Sequence, residues 1–327
     1  MSAPYPPPPG EGGQPGPSYP QAQYGVPPQY GLPQYAPPAQ YGPPAQYGAA
    51  MWQPSPNDPL VSSDYAGWWR RAMAIIRAAW PQLLVLELVA VVIGTAVQTP
   101  VAVMLDRLPL TVDPSLRSGE FSFGMGDVLT AFGSAAGLLA ISVLVGAVVS
   151  LATLRVSFAA AIGAPVRISE GLTTAGGRLL PLLGWYLIAI PMVLVGVCAC
   201  VLPGLYFAAV LSLLPAVVVF ERGAGIGRCF KLFHGAFGAS LARLATILVM
   251  YPVVGLVTSV IGSAVQAALH VTDANDPRLI LGSAVSTGVT ALGFGALAVL
   301  TTPLLLTAYA DMRARVEPFS TATLLQP

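Results

Sequence analysis

Charge is what this chain has least of. Among 327 residues only 9% are Asp, Glu, Lys or Arg, and Lys231 is the sole lysine. A soluble domain carries roughly 25% charged residues, so a water-solvated globular surface is excluded. The formal net charge is +1; no basic domain exists to neutralise phosphates, which excludes nucleic acid as a partner. Cysteine is scarce as well. Cys198, Cys200 and Cys229 give no disulfide framework, and Cys198 and Cys200, two apart in an apolar run, read as small apolar filler rather than metal ligands. The two histidines, His234 and His270, fall on opposite sides of the membrane in the topology below and cannot share a metal. No Ser-His-Asp set, phosphate-cradling glycine loop or pair of catalytic carboxylates stands in the sequence. The expectation is a non-enzymatic chain with no cofactor and no metal. Met1–Pro59 also lack the basic and apolar segments of a cleavable leader, which leaves insertion to the first membrane helix.

Apolar length is what the chain does have. It is 55% hydrophobic, with a mean hydropathy of +0.70. Six apolar runs, about 82–105, 128–151, 179–201, 205–220, 244–266 and 282–309, each approach the ~20 residues that cross ~30 Å of hydrocarbon. The fourth is short and contains Pro215; it either starts as early as Val201 or is kinked and shielded by its neighbours. Pro191, Pro252 and Pro303 predict kinks in three other spans.

The segments flanking these runs have a consistent character. From Leu60 to Trp80, helical spacing places Tyr65, Trp68, Trp69, Ala72, Ile75, Ile76 and Trp80 on one side and Arg70, Arg71 and Arg77 on the other. That pattern suits a helix lying on an anionic membrane. From Ile226 to Leu241 a second such helix is predicted, with Phe230, Phe233 and Phe237 opposite Arg228 and Lys231. A weaker copy precedes the third span. Three units of surface helix plus membrane hairpin follow from this; chance similarity between segments that lead into membranes is the other reading. Arg70, Arg71, Arg77, Arg228 and Lys231 are thus the expected lipid-headgroup contacts.

Of the 15 basic residues, all but Arg107, Arg117 and Arg278 fall on the side of the two termini, while Asp106, Asp113, Glu120, Asp127, Asp273 and Asp276 face the other way. By the positive-inside rule both termini are cytoplasmic. The predicted fold class is an all-α integral membrane protein: six transmembrane helices, amphipathic interfacial helices on the cytoplasmic side, and a disordered N-terminal tail. Its parts are the tail (1–59), the membrane domain (60–315) and a short C-terminal tail (316–327), placed in a bacterial plasma membrane.

The tail is rich in Pro, Gly, Gln and Tyr, with Tyr24, Tyr30, Tyr35, Tyr41 and Tyr47 recurring among prolines. Proline at this density prevents helix and ladder formation. Its tyrosines are either stickers for self-association or a protein partner, or part of an inert tether.

Residues 179–238 run LLPLLGWYLIAIPMVLVGVCACVLPGLYFAAVLSLLPAVVVFERGAGIGRCFKLFHGAFG. This stretch resembles the bacterial six-span family that includes the membrane domain of certain glycerophosphoryl diester phosphodiesterases. The matching features are a Pro-Gly-aromatic turn (Pro203, Gly204, Tyr206), an apolar helix, an acidic exit at Glu221 and a short basic helix. The resemblance covers residues 64–315 and implies a six-span fold; the phosphodiesterase's catalytic domain is absent. The tail is similar to leaders on actinobacterial membrane proteins.

Glu87 is the carboxylate set well inside an apolar run. An ionisable group there marks a functional site or a structural ion pair, and Arg155 lies at a depth suited to pairing with it. Small residues recur at Gly133-xxx-Gly137, from Gly255 to Ser263 and from Ser283 to Gly295, as faces along which helix backbones approach. Two functions follow. One is a scaffold or lipid-organising protein that binds anionic lipid and recruits partners through its tail. The alternative is a transporter or lipid-handling protein using Glu87, kinked helices and a polar cavity completed by Gln98 or Thr99.

Overall fold

A helix is the only open-ended element whose backbone hydrogen bonds are all internal, so apolar runs of this length have one solution in lipid. A computed structural model describes residues 58–107, 125–269 and 276–325. It consists of α1 (Tyr65–Arg107), α2 (Met125–Ala161), α3 (Ile168–Ala199), α4 (Val201–Leu211), α5 (Leu214–Phe220), α6 (Ile226–Gly235), α7 (Phe237–Leu269) and α8 (Arg278–Val316), with a closing 3-10 turn at Thr321–Leu325. No strand occurs among the described residues. The tyrosine-bearing tail and the loops with Asp113, Arg117, Glu120, His270 and Asp273 lie outside them.

Six helical stretches are long and apolar enough to cross a membrane: Tyr65–Met104, Phe132–Ala161, Ile168–Ala199, Val201–Phe220, Phe237–Leu269 and Arg278–Val316. Their outer faces leave large aliphatic side chains bare, with Leu180 and Leu187 each 78% exposed. In water such a surface would aggregate; in lipid it is solvated. The protein is an all-α, multi-pass membrane protein.

The fourth span is the hub. It starts at Val201, as the longer of the expected boundaries had it, and breaks at Ser212-Leu213 just before Pro215. Leu213, Leu214 and Val217 within it are completely buried. An interrupted helix would be costly against lipid, because freed carbonyls need partners. Here the surrounding helices cover it. Pro191, Pro252 and Pro303 lie instead inside uninterrupted helices.

α1 differs from its expected division into a surface helix and a span. It is one helix of 43 residues, continuous through Pro81, about 64 Å long at 1.5 Å per residue. Trp68, Ala72, Ile75, Ala79, Leu83 and Leu86 are buried along it, an i, i+3/i+4 seam that packs on protein. Trp68 seals the seam by donating its indole N–H to the Leu304 carbonyl at 3.1 Å, whereas Tyr65 and Trp80 from the same predicted face are exposed. The weaker second copy is likewise continuous with its span in α3. The third is separate but shorter than expected: α6 stops at Gly235 and Ala236 turns the chain (φ −146, ψ 58) before α7. Phe233 is buried while Phe237 and Leu241, now on α7, are exposed.

Of the expected small-residue faces, the one from Ser283 to Gly295 does meet α1 closely: a Cβ on Gly295 would lie 2.9 Å from Val91 Cγ2. Gly133 and Gly137 face open space. A tight backbone approach not expected from the sequence is the α3–α4 hairpin, turned at the extended residue Cys200, where a Cβ on Gly204 would lie 2.8 Å from the Val197 nitrogen.

Candidate intramembrane site

A cavity of about 440 Å³ opens beside the break in the fourth span, within the ~300–1,000 Å³ typical of small-molecule sites. Every long helix contributes to its wall: Glu87 from α1, Ser150 from α2, Tyr186 from α3, Tyr251 from α7 and Thr301 from α8, with Ser212 from the break itself. The rest of the lining is mainly aliphatic. Among the described residues no basic side chain lines the cavity.

Glu87 is the chemical centre. It is 7% exposed, and it makes no ion pair or hydrogen bond among the described residues. The expected partner Arg155 is elsewhere: it does not line the cavity, and its guanidinium sits 5.5 Å above the Phe158 ring. The reading of Glu87 as half of a structural ion pair with Arg155 is therefore corrected. A buried carboxylate without a partner is costly, which is the usual mark of a group kept for function.

Two proline-altered helix segments border the same cavity. A proline removes the N–H that would satisfy the carbonyl four residues earlier. For Pro215 and Pro252 those carbonyls belong to Leu211 and Leu248, and both residues line the cavity. At the break Ser212 Oγ donates to the Ala209 carbonyl at 2.7 Å, and the Leu213 N–H shifts to the Val210 carbonyl. Tyr251 Oη and Thr301 Oγ1 lie 3.4 Å apart across the wall.

Gln98 and Thr99 do not belong to this lining. Thr99 Oγ1 donates to the Thr95 carbonyl at 2.7 Å and meets Thr287 Oγ1 at 2.9 Å, which ties α1 to α8. The residues that do belong, Ser150, Tyr186, Ser212, Tyr251 and Thr301, are isolated polar groups in separate apolar runs. A tyrosine far from a span's end was the available signal, because tyrosine in membranes concentrates at interfaces.

Several of the remaining candidates are held by contacts within the protein. Glu221, at the end of α5, accepts from Arg228 Nε at 2.6 Å and from the Tyr309 hydroxyl at 2.7 Å. Arg228 Nη2 donates to Glu317 at 2.8 Å, and Arg313 bonds both Glu317 and Tyr309. Arg228 is thus a pinned side chain, 13% exposed, and not a free headgroup contact. Burial works against its charge, yet Glu221 and Glu317 outweigh burial and raise its pKa. Arg71 is half-buried and donates to the Asp58 carbonyl at 2.9 Å; Arg70, Arg77 and Lys231 are exposed. Tyr206 meets His234 Nε2 at 3.1 Å and packs on Phe233. Pro203, Gly204 and Tyr206 form no turn but lie in the first turns of α4, the chain reversing at Cys200, and they and Glu221 are structural joints. Buried Cys229 has its thiol pushed up to about 12 by desolvation, and it is inert.

The two described ends meet. Asp58 Oδ1 accepts from the Leu60 and Val61 N–H groups (2.9 and 3.0 Å), and Oδ2 accepts from Thr321 N–H at 2.9 Å. Burial would raise the Asp58 carboxyl, but these bonds and the Thr321 hydroxyl hold it below its ordinary value.

No family model, curated protein or solved structure matches the chain.

Proposed function

We propose that this chain is a transporter or lipid-handling protein that admits a small amphiphilic molecule to the intramembrane cavity around Glu87. The observation that carries this reading is a carboxylate 7% exposed and without a partner among the described residues, on the wall of a cavity of about 440 Å³ to which all the long helices contribute. A purely structural membrane anchor has no use for either feature. The scaffold reading keeps the exposed Arg70, Arg77 and Lys231 as contacts for anionic lipid, but Arg228 no longer supports it.

Gly146 supplies the test. It lines the cavity, and a Cβ built there meets nothing within 4 Å, so Gly146→Leu fills the space without displacing the backbone. The neutral fluorophore 1-aminoanthracene is expected to bind the purified full-length protein saturably in neutral detergent. Its affinity should fall about tenfold or more in Gly146→Leu. Unchanged affinity would remove the cavity from the account.

Orientation belongs to the same proposal. The Asp58–Thr321 contact, which brings the two described ends together, and the excess of basic residues near them support cytoplasmic termini in a bacterial plasma membrane. A single cysteine at Ser118, in a chain with Cys198, Cys200 and Cys229 replaced, should react with an impermeant maleimide on intact cells, and one at Gln326 should not. The reverse pattern would invert the topology. The resemblance of residues 64–315 to the phosphodiesterase membrane domain is part of this proposal too, resting on Pro203, Gly204, Tyr206 and Glu221.

A further inference from the structure

We infer that the ligand of this cavity is an organic cation: an amine or ammonium group on an apolar body. The inference rests on the cavity reading above and adds the charge class of what it takes. The one charged group on the described wall is anionic, and the remaining polar side chains are neutral hydroxyls. Glu87 contributes a carboxylate, and the same lining includes Leu211 and Leu248, whose carbonyls lose their intrahelical donors to Pro215 and Pro252. Ser212 has already spent its hydroxyl proton on the Ala209 carbonyl, so it faces a newcomer as an acceptor. No arginine, lysine or histidine among the described residues stands on the wall.

This inventory sorts ligands by charge. A phosphate, sulfate or carboxylate headgroup would be buried beside Glu87 with no cation to compensate, and two like charges in a low-dielectric site repel strongly. A neutral alcohol can donate one hydrogen bond but leaves the carboxylate without a counter-charge. An ammonium group supplies the missing charge, and its donors match the acceptors on the wall. Where Glu87 begins protonated, its proton leaves to solvent as the ammonium arrives, so charge balances in either starting state. The aliphatic remainder of the wall suits a hydrocarbon body on the same molecule.

The test is displacement of 1-aminoanthracene from the full-length protein in neutral detergent by three probes sharing one chain: decylammonium, decyl sulfate and decanol. Decylammonium should displace the fluorophore at a concentration at least about tenfold lower than either of the others. Glu87→Gln keeps the size of the side chain and removes the charge, and it should erase that preference, read as the ratio of the three displacing concentrations within the variant itself. Equal displacement by the three probes, or a preference that survives in Glu87→Gln, would overturn the cation assignment. Binding of 1-aminoanthracene that is lost in Gly146→Leu would still sustain the cavity in that case. If Glu87→Gln elutes as aggregate, Glu87→Asp tests the same point: it retains the charge and should retain the preference for decylammonium, and its loss would count against the proposal. No saturable binding of any probe to the parent protein would end both readings.

Discussion

Replacing Asp311 with alanine is expected to destabilise the membrane domain by roughly 3–5 kcal/mol, the cost of stranding a buried charge. Asp311 Oδ2 lies 2.5 Å from Arg243 Nη1, and the two side chains are 2% and 3% exposed. Arg315 Nε reaches the same oxygen at 2.7 Å. Arg243 also points Nη2 at the Ser62 carbonyl (3.4 Å) and stacks 5.9 Å from the Trp68 ring; its Nε has no partner. Without Asp311 this guanidinium keeps its desolvation and loses its counter-charge. The pair joins α7 to α8, and through Ser62 to the segment leading into α1, so the loss should appear as a lower midpoint of thermal unfolding of the full-length protein in detergent. Replacing both partners, Arg243→Met with Asp311→Met, should recover much of it, because two apolar side chains leave no orphan. An Asp311→Ala protein that unfolds at the parental temperature would show that α7 and α8 are held by packing alone.

Gly204→Ala should have the next largest effect, and with a sign opposite to the same change at Gly176. Exchanging an interior helical glycine for alanine ordinarily gains roughly 0.5–1 kcal/mol. At Gly176 a new Cβ meets nothing within 4 Å, so that gain should be realised. At Gly204 the Cβ would lie 2.8 Å from the nitrogen and 2.9 Å from the Cα of Val197, and Gly196 opposite is equally crowded, with the Gly204 backbone 3.0 Å from its own added Cβ. These neighbours are backbone and cannot rotate away. The hairpin must spread, at a cost of roughly 1–3 kcal/mol, and it carries the fourth span with it. Parallel unfolding of the two variants provides the comparison; a Gly204→Ala protein as stable as Gly176→Ala would mean that the hairpin yields freely.

Residue by residue, the legible part of this fold is what depends on apolar length. Six spans, their approximate limits and the early start of the fourth at Val201 follow from runs long enough to cross hydrocarbon. The buried seam of α1 was legible only as periodicity. Trp68, Ala72 and Ile75 stood out as one face, but the pattern is the same whether lipid or α8 covers it. Arg228 illustrates the same ambiguity for charge. A basic residue on an amphipathic helix reads as a headgroup contact until Glu317, 89 residues away, is seen to hold it. Arg243, too, reads as one more cytoplasmic positive until Asp311 is seen beside it.

Glu87 marks the division. Its place inside an apolar run was enough to single it out, since charge at that depth has few explanations. Composition and run length by themselves determined that this is an all-helical membrane protein, because lipid leaves the backbone no other way to satisfy its hydrogen bonds. Only the tertiary structure decided that Glu87 meets a cavity rather than Arg155, that Tyr186 and Tyr251 share its wall, and that the basic surface helix is pinned by acids. Those outcomes depend on which side chains from distant runs come within a few ångströms of each other, and helical periodicity specifies a face without specifying what covers it.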